Sequence, residues 1–247
     1  MDTTALDDPV GGSLHGNHAH LARRIDRAAT YLPDVTTFAA VDPGDGREWD
    51  DLARLLGPGA SADLFSCPAP PPPHWPEFFR LEGRQLILPG ALAATPTAAD
   101  VVELGAADVA EMLDLVERTR PGPFWPRTHE LGPYLGIRDA EGLLVAMAGV
   151  RLRPPGWSEI SAVCTAPEAR GRGYAAQLIG GLVDRITALG DRPFLHVAAA
   201  NTAAIGLYER LGFRTRTPVT FRGFHVPGEV VSNSAMRVGG VHDGDRV

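Results

Sequence analysis

A short segment, residues 170–175 (RGRGYA), joins a predicted strand to a predicted amphipathic helix and combines two arginines with two glycines. Glycine lets a backbone approach a ligand closely. The first N–H groups of a helix, together with its positive dipole end, attract anions. This arrangement predicts that the segment binds a phosphate-bearing ligand. A glycine-containing turn without a ligand is the other interpretation.

Two common phosphate-binding patterns do not fit this segment. Read as G-x-G-x-x-A from Gly171, it matches a dinucleotide fingerprint, but residues 166–170 separate the strand from the first glycine. Asn201 also stands where a ribose-binding carboxylate is required. A nucleotide-binding P-loop needs Gly-Lys-Ser/Thr, which does not follow. The match to the dinucleotide fingerprint is therefore a chance match of glycine spacing and does not indicate a dinucleotide site.

Two sequence motifs, which follow one another along the chain, resemble those of the GNAT superfamily of acyl-CoA-dependent N-acyltransferases. The sequence EISAVCT (159–165) resembles the FR47-like branch of that superfamily. The resemblance extends over residues 101–225. The first motif, Arg/Gln-x-x-Gly-x-Gly/Ala, falls on Arg170, Gly173 and Ala175. The second, Asn-x-x-Ala-x-x-Leu-Tyr and then Gly-Phe, falls on Asn201, Ala204, Leu207, Tyr208, Gly212 and Phe213.

The resemblance implies that acetyl-CoA is the co-substrate and that no metal is needed. The backbone of the strand end would align the pantetheine arm as an added strand does. The loop amides and arginines would hold the pyrophosphate, and Asn201 would contact the cofactor arm or cap the following helix. The cofactor-binding residues expected on this basis are Val163, Cys164, Thr165, Arg170, Gly171, Arg172, Gly173, Tyr174, Ala175 and Asn201.

Two residues are predicted to be catalytic. An attacking amine must be neutral, yet most amines are protonated near pH 7, so a base is required. Strand alternation places Glu159 on a face that we expect to line the cleft, which makes it the candidate base, directly or through water. The resemblance implies that Tyr208 protonates the departing thiolate. His129, Glu130 and His196 are further candidates for the acceptor site.

The predicted function is transfer of an acetyl group from acetyl-CoA to a primary amine of a small molecule or peptide, by direct attack in a ternary complex. The alternative is a non-catalytic acyl-CoA-binding regulatory module. The net charge of −7 favours a cationic amine and argues against a nucleic-acid partner.

The amino-acid composition indicates the class of protein and the compartment in which we expect it. With 44% hydrophobic and 21% charged residues, a soluble globular protein is expected. No apolar run approaches the roughly 20 residues needed to span a bilayer, and residues 1–10 lack the order of a signal peptide. We therefore expect a cytoplasmic protein without a membrane partner. The histidines in HGNHAH (15–20) lack a nearby acidic or cysteine partner, which favours solvated or helix-capping roles over a metal site.

The hydrophobic pattern predicts an α/β (α+β) fold, with a mixed, mostly antiparallel twisted sheet flanked by helices. Residues 96–225 are the predicted acetyltransferase domain and residues 226–247 a flexible tail. Residues 1–95 are predicted to form an N-terminal α/β region, which we interpret as a diverged or partial repeat of the acyltransferase half and expect to shape the acceptor pocket or the interface of a homodimer.

Individual elements follow from periodicity and turn residues. In the first region the pattern predicts helices at 18–31 and 50–56, strands at 36–41 and 78–88, and a proline-rich connector at 67–77. In the second it predicts helices at 107–119, 174–189 and 202–211. The strands predicted there are 101–104, 134–138, 142–152, 157–165, 194–199, 213–216 and 219–225.

Overall fold

The computed structural model describes residues 2–44, 46–67, 69–95 and 99–228. No helix among them is long and apolar enough to cross a membrane. The helices are α1 (Pro9–His15), α2 (Arg47–Leu56), α3 (Val109–Thr119), α4 (Tyr174–Ala188) and α5 (Thr202–Arg210). The strands are β1 (Ala22–Ile25), β2 (Ala28–Tyr31), β3 (Phe38–Val41), β4 (Ser61–Phe65), β5 (Glu77–Ile87), β6 (Val101–Leu104), β7 (Tyr134–Arg138), β8 (Leu144–Val150), β9 (Trp157–Thr165), β10 (Arg192–Ala198) and β11 (Arg214–His225).

These strands form a single sheet in the order β1-β2-β3-β4-β11-β5-β10-β9-β8-β7-β6. Neighbouring strands run antiparallel except for β3–β4 and β9–β10, which are parallel. A helix connects each parallel pair, α2 in the first case and α4 in the second. The predicted mixed, mostly antiparallel sheet flanked by helices is confirmed.

The two regions of the chain each insert one strand into the part of the sheet built by the other. β5, from the N-terminal region, pairs with β10 and β11. β11, from the C-terminal region, pairs with β4 and β5. Towards the centre of the sheet, each parallel pair is therefore followed by the same two antiparallel strands, β11 and β5, in opposite order. The division at residue 95 and the partial repeat stay predictions, but both regions share this layer.

Different elements cover the two faces of the sheet around β9 and β10. On one face, Ile160 packs in a cluster with Leu178 of α4. On the other, Leu14 of α1 clusters with Trp157 and Phe194. Full burial of each such side chain stabilises the fold by about 1.5–3 kcal/mol. The N-terminal helix is thus part of the packing around the C-terminal strands.

The elements predicted between residues 101 and 225 are present, with one change. The two strands predicted at 213–216 and 219–225 are the single strand β11, whose register shifts at a bulge around Arg216. The described residues 69–76 contain neither helix nor strand, as expected for the proline-rich connector. From residue 229 onward, the predicted tail lies outside the described residues.

The helix predicted at 18–31 is wrong. Ala22–Ile25 and Ala28–Tyr31 form an antiparallel hairpin whose two-residue turn has Asp26 at φ +44°. Aspartate tolerates this left-handed conformation better than most residues. All four residues of β2 are buried, and a short apolar run of that kind has no period that separates strand from helix.

A substitution at Gly83 tests whether β5 lies between β10 and β11. A Cβ added there would lie 2.4 Å from the Phe221 ring and 2.9 Å from the carbonyl oxygen of Val197. We expect Gly83→Val to lower the free energy of unfolding by about 2–3 kcal/mol in urea denaturation, because the neighbouring strands must move apart. The control is Gly90→Ala, whose Cβ would meet nothing within 4 Å. Equal stability of the two variants would contradict the strand order.

Candidate functional site

The parallel strands β9 and β10 separate at their carboxyl ends. They pair over four residue positions, the last of which joins Ile160 to Leu195. β9 then continues to Thr165 and β10 to Ala198 without further pairing to each other. We call this opening the seam. Crevices at the carboxyl ends of parallel strands are the usual ligand sites of open α/β sheets.

A bulge in β9 lies where the seam begins. Ala162 has φ +52°, and the register between β8 and β9 shifts between Met147 and Gly149. Bulges bend a strand and interrupt its pairing. A positive φ at a residue other than glycine is strained and is often found at functional sites. Beyond this bulge Cys164 pairs with Met147 of β8, so the main-chain groups of Val163 and Thr165 are the ones that border the seam.

The glycine loop joins the end of β9 to α4. Gly171 and Gly173 have φ of +79° and +82°, and a Cβ at either position would meet nothing within 4 Å. Gly173 is the N-cap of α4; no side chain of the described residues caps it, and the first turn carries no acidic residue. The first amides of α4 have no acceptor within the helix. This cradle fits the phosphate oxygens of an acyl-CoA.

The arginines of the loop are exposed and contact only its own carbonyl groups among the hydrogen bonds described. Arg170 Nε donates to the carbonyl oxygen of Thr165 at 3.3 Å, and Arg172 Nη2 donates to that of Glu168 at 3.4 Å. Both contacts are long and involve neutral acceptors, so an anion would compete with them easily. The predicted pairing of these two side chains with a pyrophosphate stays a prediction.

Asn201 is the N-cap of α5, and its Oδ1 accepts a hydrogen bond from the amide of Ala204 at 3.2 Å. The capping role considered from the sequence is thus present, and the amide nitrogen of the exposed side chain remains available for other contacts. Cys164 is buried in the core cluster that also contains Leu178 of α4, and burial raises the pKa of its thiol to about 11. Its side chain belongs to the core, as predicted.

Tyr208 lies on α5 and is 8% exposed. Its ring packs against that of Phe213, with centroids 6.2 Å apart. Burial raises the pKa of its phenol to about 12. The hydroxyl therefore keeps its proton throughout the neutral range and can serve as a hydrogen-bond donor.

Glu159 forms a buried ion pair. Its Oε1 accepts from Arg151 Nη2 at 2.6 Å and its Oε2 from Arg151 Nε at 2.9 Å, while His196 Nδ1 lies 2.8 Å from Oε1. Burial alone would raise the pKa of the Glu159 carboxyl, but the charge of Arg151 and these hydrogen bonds outweigh it and lower the pKa to about 2. The carboxylate is held ionised.

The expectation that Glu159 faces an open cleft is wrong, because its side chain is 0% exposed. The face of β9 that carries Glu159 also carries Trp157, which packs against Leu14 of α1. The N-terminal region closes that face. The role of Glu159 as a base has not been tested and stays a prediction, but a carboxylate with so low a pKa accepts protons weakly.

The ion pair continues into a row of hydrogen bonds that crosses three more strands. Gln85 Oε1 accepts from Arg216 Nη1 at 2.9 Å, so the amide nitrogen of Gln85 faces the opposite way and donates to His196 Nε2 at 3.0 Å. His196 Nδ1 then carries the hydrogen that is donated to Glu159. We call Arg151, Glu159, His196, Gln85 and Arg216 the buried polar row.

Sequence reasoning missed Arg151, Gln85 and Arg216. Arg151 directly follows an apolar strand, whereas Gln85 and Arg216 stand among other polar residues of β5 and β11, and the partners are far apart in the chain. Period-two alternation places Gln85 on the opposite face from Arg84 and Leu86, but nothing in the sequence indicates which strands adjoin.

The residues predicted to line the acceptor site do not come together. His129 Nδ1 lies 3.1 Å from the carbonyl oxygen of Pro126, and Glu130 pairs with Arg127 at 2.7 Å, so both side chains contact their own loop. His196 is buried in the polar row, and burial lowers its pKa despite the adjacent Glu159. Their predicted role at the acceptor site stays untested.

Within the described ranges, no group of three His, Cys, Asp or Glu side chains is arranged to hold a metal ion. His18, from the HGNHAH segment, is buried between the hydroxyl of Tyr31 and the carbonyl oxygen of Leu131, each 2.9 Å from a ring nitrogen. Burial lowers the pKa of His18 to about 4. A neutral structural histidine accounts for these contacts.

The start of α2 is the N-terminal counterpart of the glycine loop and differs in charge. Gly46 is the N-cap with φ +94°, but the first turn of α2 carries Glu48 and Asp50. The amide of Gly46 donates to Glu48 Oε2 at 2.9 Å. A pyrophosphate would be repelled here, which leaves the start of α4 as the phosphate site that the charges favour.

Comparison with known proteins agrees with this geometry. The family model for FR47-like proteins matches residues 134–221. A solved structure of an acetyltransferase from the GNAT family of Novosphingobium aromaticivorans is 38% identical, covers 90% of this chain and 98% of its own, and has a TM-score of 0.80. A GCN5-related N-acetyltransferase from Kribbella flavida is 16% identical over 92% of this chain and 98% of its own, with a TM-score of 0.62, and shares the fold.

Mycothiol acetyltransferases from two Mycobacterium strains, JLS and MCS, are 33% identical over 105 residues. The match covers 40% of this chain and 34% of theirs. The chain therefore spans about a third of the length of these curated relatives.

The ion pair predicts a stability effect with a defined pH dependence. Glu159→Gln leaves the charge of Arg151 buried without a carboxylate, so we expect the free energy of unfolding at pH 7 to fall by about 3 kcal/mol. The exposed Glu141→Gln is the control and should change stability by less than about 0.5 kcal/mol. Urea denaturation measures both.

The same experiment at lower pH checks the cause. Because the pKa of Glu159 is lowered in the folded protein, its contribution is complete above the unfolded value of 4.5 and is lost as the pH falls toward about 2. The difference between wild type and Glu159→Gln should therefore narrow below pH 4.5. A difference that stays constant down to the lowest pH at which the protein folds would contradict the ion pair as its source.

Proposed function

Because this chain belongs to the GNAT family of acetyltransferases, we propose that it transfers the acetyl group of acetyl-CoA to a primary amine of a small molecule or peptide. The observation that carries the proposal is the seam, with its bulge at Ala162, next to an uncapped glycine loop at the start of α4. A strand end with unpaired main-chain groups suits an amide-containing arm, and a helix start suits a pyrophosphate.

The proposed reaction is direct. The amine nitrogen forms a bond to the thioester carbonyl carbon and loses a proton to the base, the carbon–sulfur bond breaks, and the sulfur leaves as a thiolate that takes up a proton from water. The main-chain amides of Val163 and Thr165 border the place where the oxyanion develops and are the proposed donors to it. Glu159 remains the candidate base, acting from beneath the seam through a water molecule rather than by direct contact, because both ring nitrogens of His196 already have partners in the polar row.

The proposed role of Tyr208 is narrower than full proton transfer. Its phenol has a pKa of about 12, whereas an ordinary thiol has a pKa of about 8.5. Moving the proton completely to the thiolate would cost about 5 kcal/mol. We therefore propose that the Tyr208 hydroxyl donates a hydrogen bond to the sulfur as negative charge develops there, which stabilises the transition state more than the bound thioester.

The acceptor is named only by its class. The mycothiol acetyltransferases are, by their name, acetyltransferases connected with mycothiol, but this chain matches a third of their length. The resemblance supports a small-molecule amine as the class of acceptor, and it does not identify the compound. A screen of acetyl-CoA consumption against amines and short peptides tests this directly.

A matched pair of glycine variants tests donor binding. Gly173→Glu places a carboxylate at the start of α4, so we expect the affinity for acetyl-CoA in calorimetry to fall about 100-fold, or about 2.7 kcal/mol. Gly190→Glu is the control, since Gly190 has a similar φ of +79° and open space but follows the other end of α4. Equal affinities of the two variants would refute the proposed phosphate site.

A matched pair of tyrosine variants tests the proposed hydrogen bond from Tyr208 to the sulfur. Tyr208→Phe removes a donor to the leaving group, so kcat should fall on the order of 100-fold while the affinity for acetyl-CoA stays within about 3-fold. Tyr134→Phe removes a buried hydroxyl that has no hydrogen-bond partner among the described residues and should leave kcat unchanged. Loss of affinity in Tyr208→Phe, with kcat retained, would reject the assigned role. Binding of acetyl-CoA without turnover of any amine by wild type would favour a non-catalytic regulator.

A further inference from the structure

Ser161 lies on β9 where the seam begins. It is two residues beyond Glu159 on the strand, so the two side chains are on the same face. Ser161 follows Ile160, the last residue of β9 that pairs with β10, and precedes the bulge at Ala162. Glu159 is buried, whereas Ser161 is half-buried. Ser161 therefore stands between the buried carboxylate and the open seam.

The side chain of Glu159 extends along the strand toward Ser161. In the pairing of β9 with β10, Glu159 lies opposite Phe194. Its Oε1 nevertheless lies 2.8 Å from Nδ1 of His196, which is two residues further along β10. Because the two strands are parallel, His196 is at the level of Ser161. The carboxylate therefore extends toward the seam rather than away from it.

One acceptor position of the Glu159 carboxylate is open. A carboxylate has about four lone-pair sites, two on each oxygen. Among the described residues, Oε1 accepts from Arg151 and His196, whereas Oε2 accepts from Arg151 alone. A further donor can therefore reach Oε2 without displacing either partner. Because Glu159 is fully buried, that donor must belong to a side chain that already adjoins it.

The hydroxyl of Ser161 is the donor that the strand provides at this place. Within the described ranges it makes no hydrogen bond of its own. Gly149 lies opposite Ser161 on β8, and a Cβ at Gly149 would collide with the ring of Tyr134. The side of Ser161 that faces β8 is therefore closed, and its accessible surface faces the seam. Rotation about the Cα–Cβ bond turns the hydroxyl between the seam and the carboxylate.

We propose that the Ser161 hydroxyl contacts the attacking amine in the seam and connects it to Glu159. The inference rests on the proposed acetyl transfer and adds the group through which a fully buried carboxylate acts on a substrate that it does not touch. A serine hydroxyl has one donor and two acceptor sites, so it can accept a hydrogen bond from the amine while it donates to Oε2. A water molecule in the seam can lie between the amine and Ser161 without changing this order.

One proton moves along this row as the amide bond forms. The amine nitrogen bonds to the thioester carbonyl carbon and loses its proton to Ser161 Oγ. Ser161 passes its own hydrogen to Glu159 Oε2, so the serine is unchanged at the end of the step and the carboxylate has gained one proton. Because the pKa of Glu159 is lowered to about 2, the carboxyl then returns this proton to solvent along the same row.

Three variants test the contact by kinetics on the full chain. The acceptor is the best substrate among n-butylamine, 2-phenylethylamine, spermidine and dialanine. Ser161→Ala removes the hydroxyl and little else, so kcat should fall on the order of 100-fold while KM for acetyl-CoA stays within about 3-fold. Ser161→Thr keeps the hydroxyl and should retain kcat within about 5-fold. Ser61→Ala removes an exposed hydroxyl from β4 and should leave kcat unchanged.

The pH dependence of kcat separates this role from a structural one. A base is needed less as the pH approaches the pKa of the amine, so the defect of Ser161→Ala should shrink at least about 5-fold between about pH 7 and pH 9.5. A packing defect would lower kcat equally at every pH. The other titratable groups around the carboxylate keep their charge over this range, because burial lowers the histidine pKa and raises the tyrosine pKa values, and arginine stays protonated. These groups are His196, Tyr31, Tyr134 and Arg151.

Thiol labelling locates Ser161 without any turnover. In a Cys67→Ser background, Ser161→Cys places a half-buried thiol at the seam, and saturating acetyl-CoA should slow its reaction with iodoacetamide about 10-fold. Ser61→Cys is the control and should react at the same rate with and without acetyl-CoA. The thiol of Cys164 is buried, and burial raises its pKa to about 11, so it reacts slowly at neutral pH.

Contrary results fall into two groups. Unchanged kcat in Ser161→Ala, a defect of equal size at every pH, or a loss of kcat that Ser161→Thr shares would overturn the role of Ser161 while the acetyl transfer stands. Labelling of Ser161→Cys that acetyl-CoA does not slow would overturn it as well. If the wild-type protein binds acetyl-CoA but turns over none of the four amines, the proposed function fails and the role of Ser161 fails with it.

Discussion

The buried carboxylate of Glu159 is the constraint on which the arrangement of the central strands depends. Glu159 lies opposite Phe194, one position before the last pair that joins β9 to β10. Its two oxygens are occupied by Arg151 and His196. A buried charge is tolerated only when it is fully paired, so the three strands that carry these residues must keep their spacing at this level.

β9 and β10 separate directly after Ile160 and Leu195, the pair that follows Glu159 and Phe194. Ala162 takes a positive φ, β9 bends, and pairing with β10 does not continue. The closed end of the seam is thus fixed by an ion pair, and the open end is left with main-chain groups that lack a strand partner on β10. The same polar row extends through Gln85 to Arg216, so one buried hydrogen-bond network runs from β11 across the sheet to the strands that border the seam.

Local features could be predicted from the sequence. The strand before the loop, the glycines at positive φ, the cap at Asn201 and the helix that carries Tyr208 all depend on residues close to one another in the chain. The face of β9 that carries Ile160 packs against α4 as alternation predicts. Motif spacing therefore located the predicted donor site without knowledge of the tertiary structure.

Long-range features could not be predicted. Glu159 is buried because Leu14 and its neighbours, more than a hundred residues earlier, cover its face of the sheet. The exchange of β5 and β11 depends on pairing between distant strands, for which a single sequence gives no register. The polar row follows from that exchange, since Gln85 meets His196 and Arg216 only when β5 lies between β10 and β11.

The most direct test of the account is amide hydrogen exchange with and without CoA. The central claim is that the arm lies along the strand end at residues 163–165 and the pyrophosphate at residues 171–176. Saturating CoA should slow exchange at these two segments, because their amides become hydrogen-bonded. The corresponding amides at the start of α2, residues 46–50, should exchange at an unchanged rate. Protection at residues 46–50, with none at the seam and the glycine loop, would contradict the account.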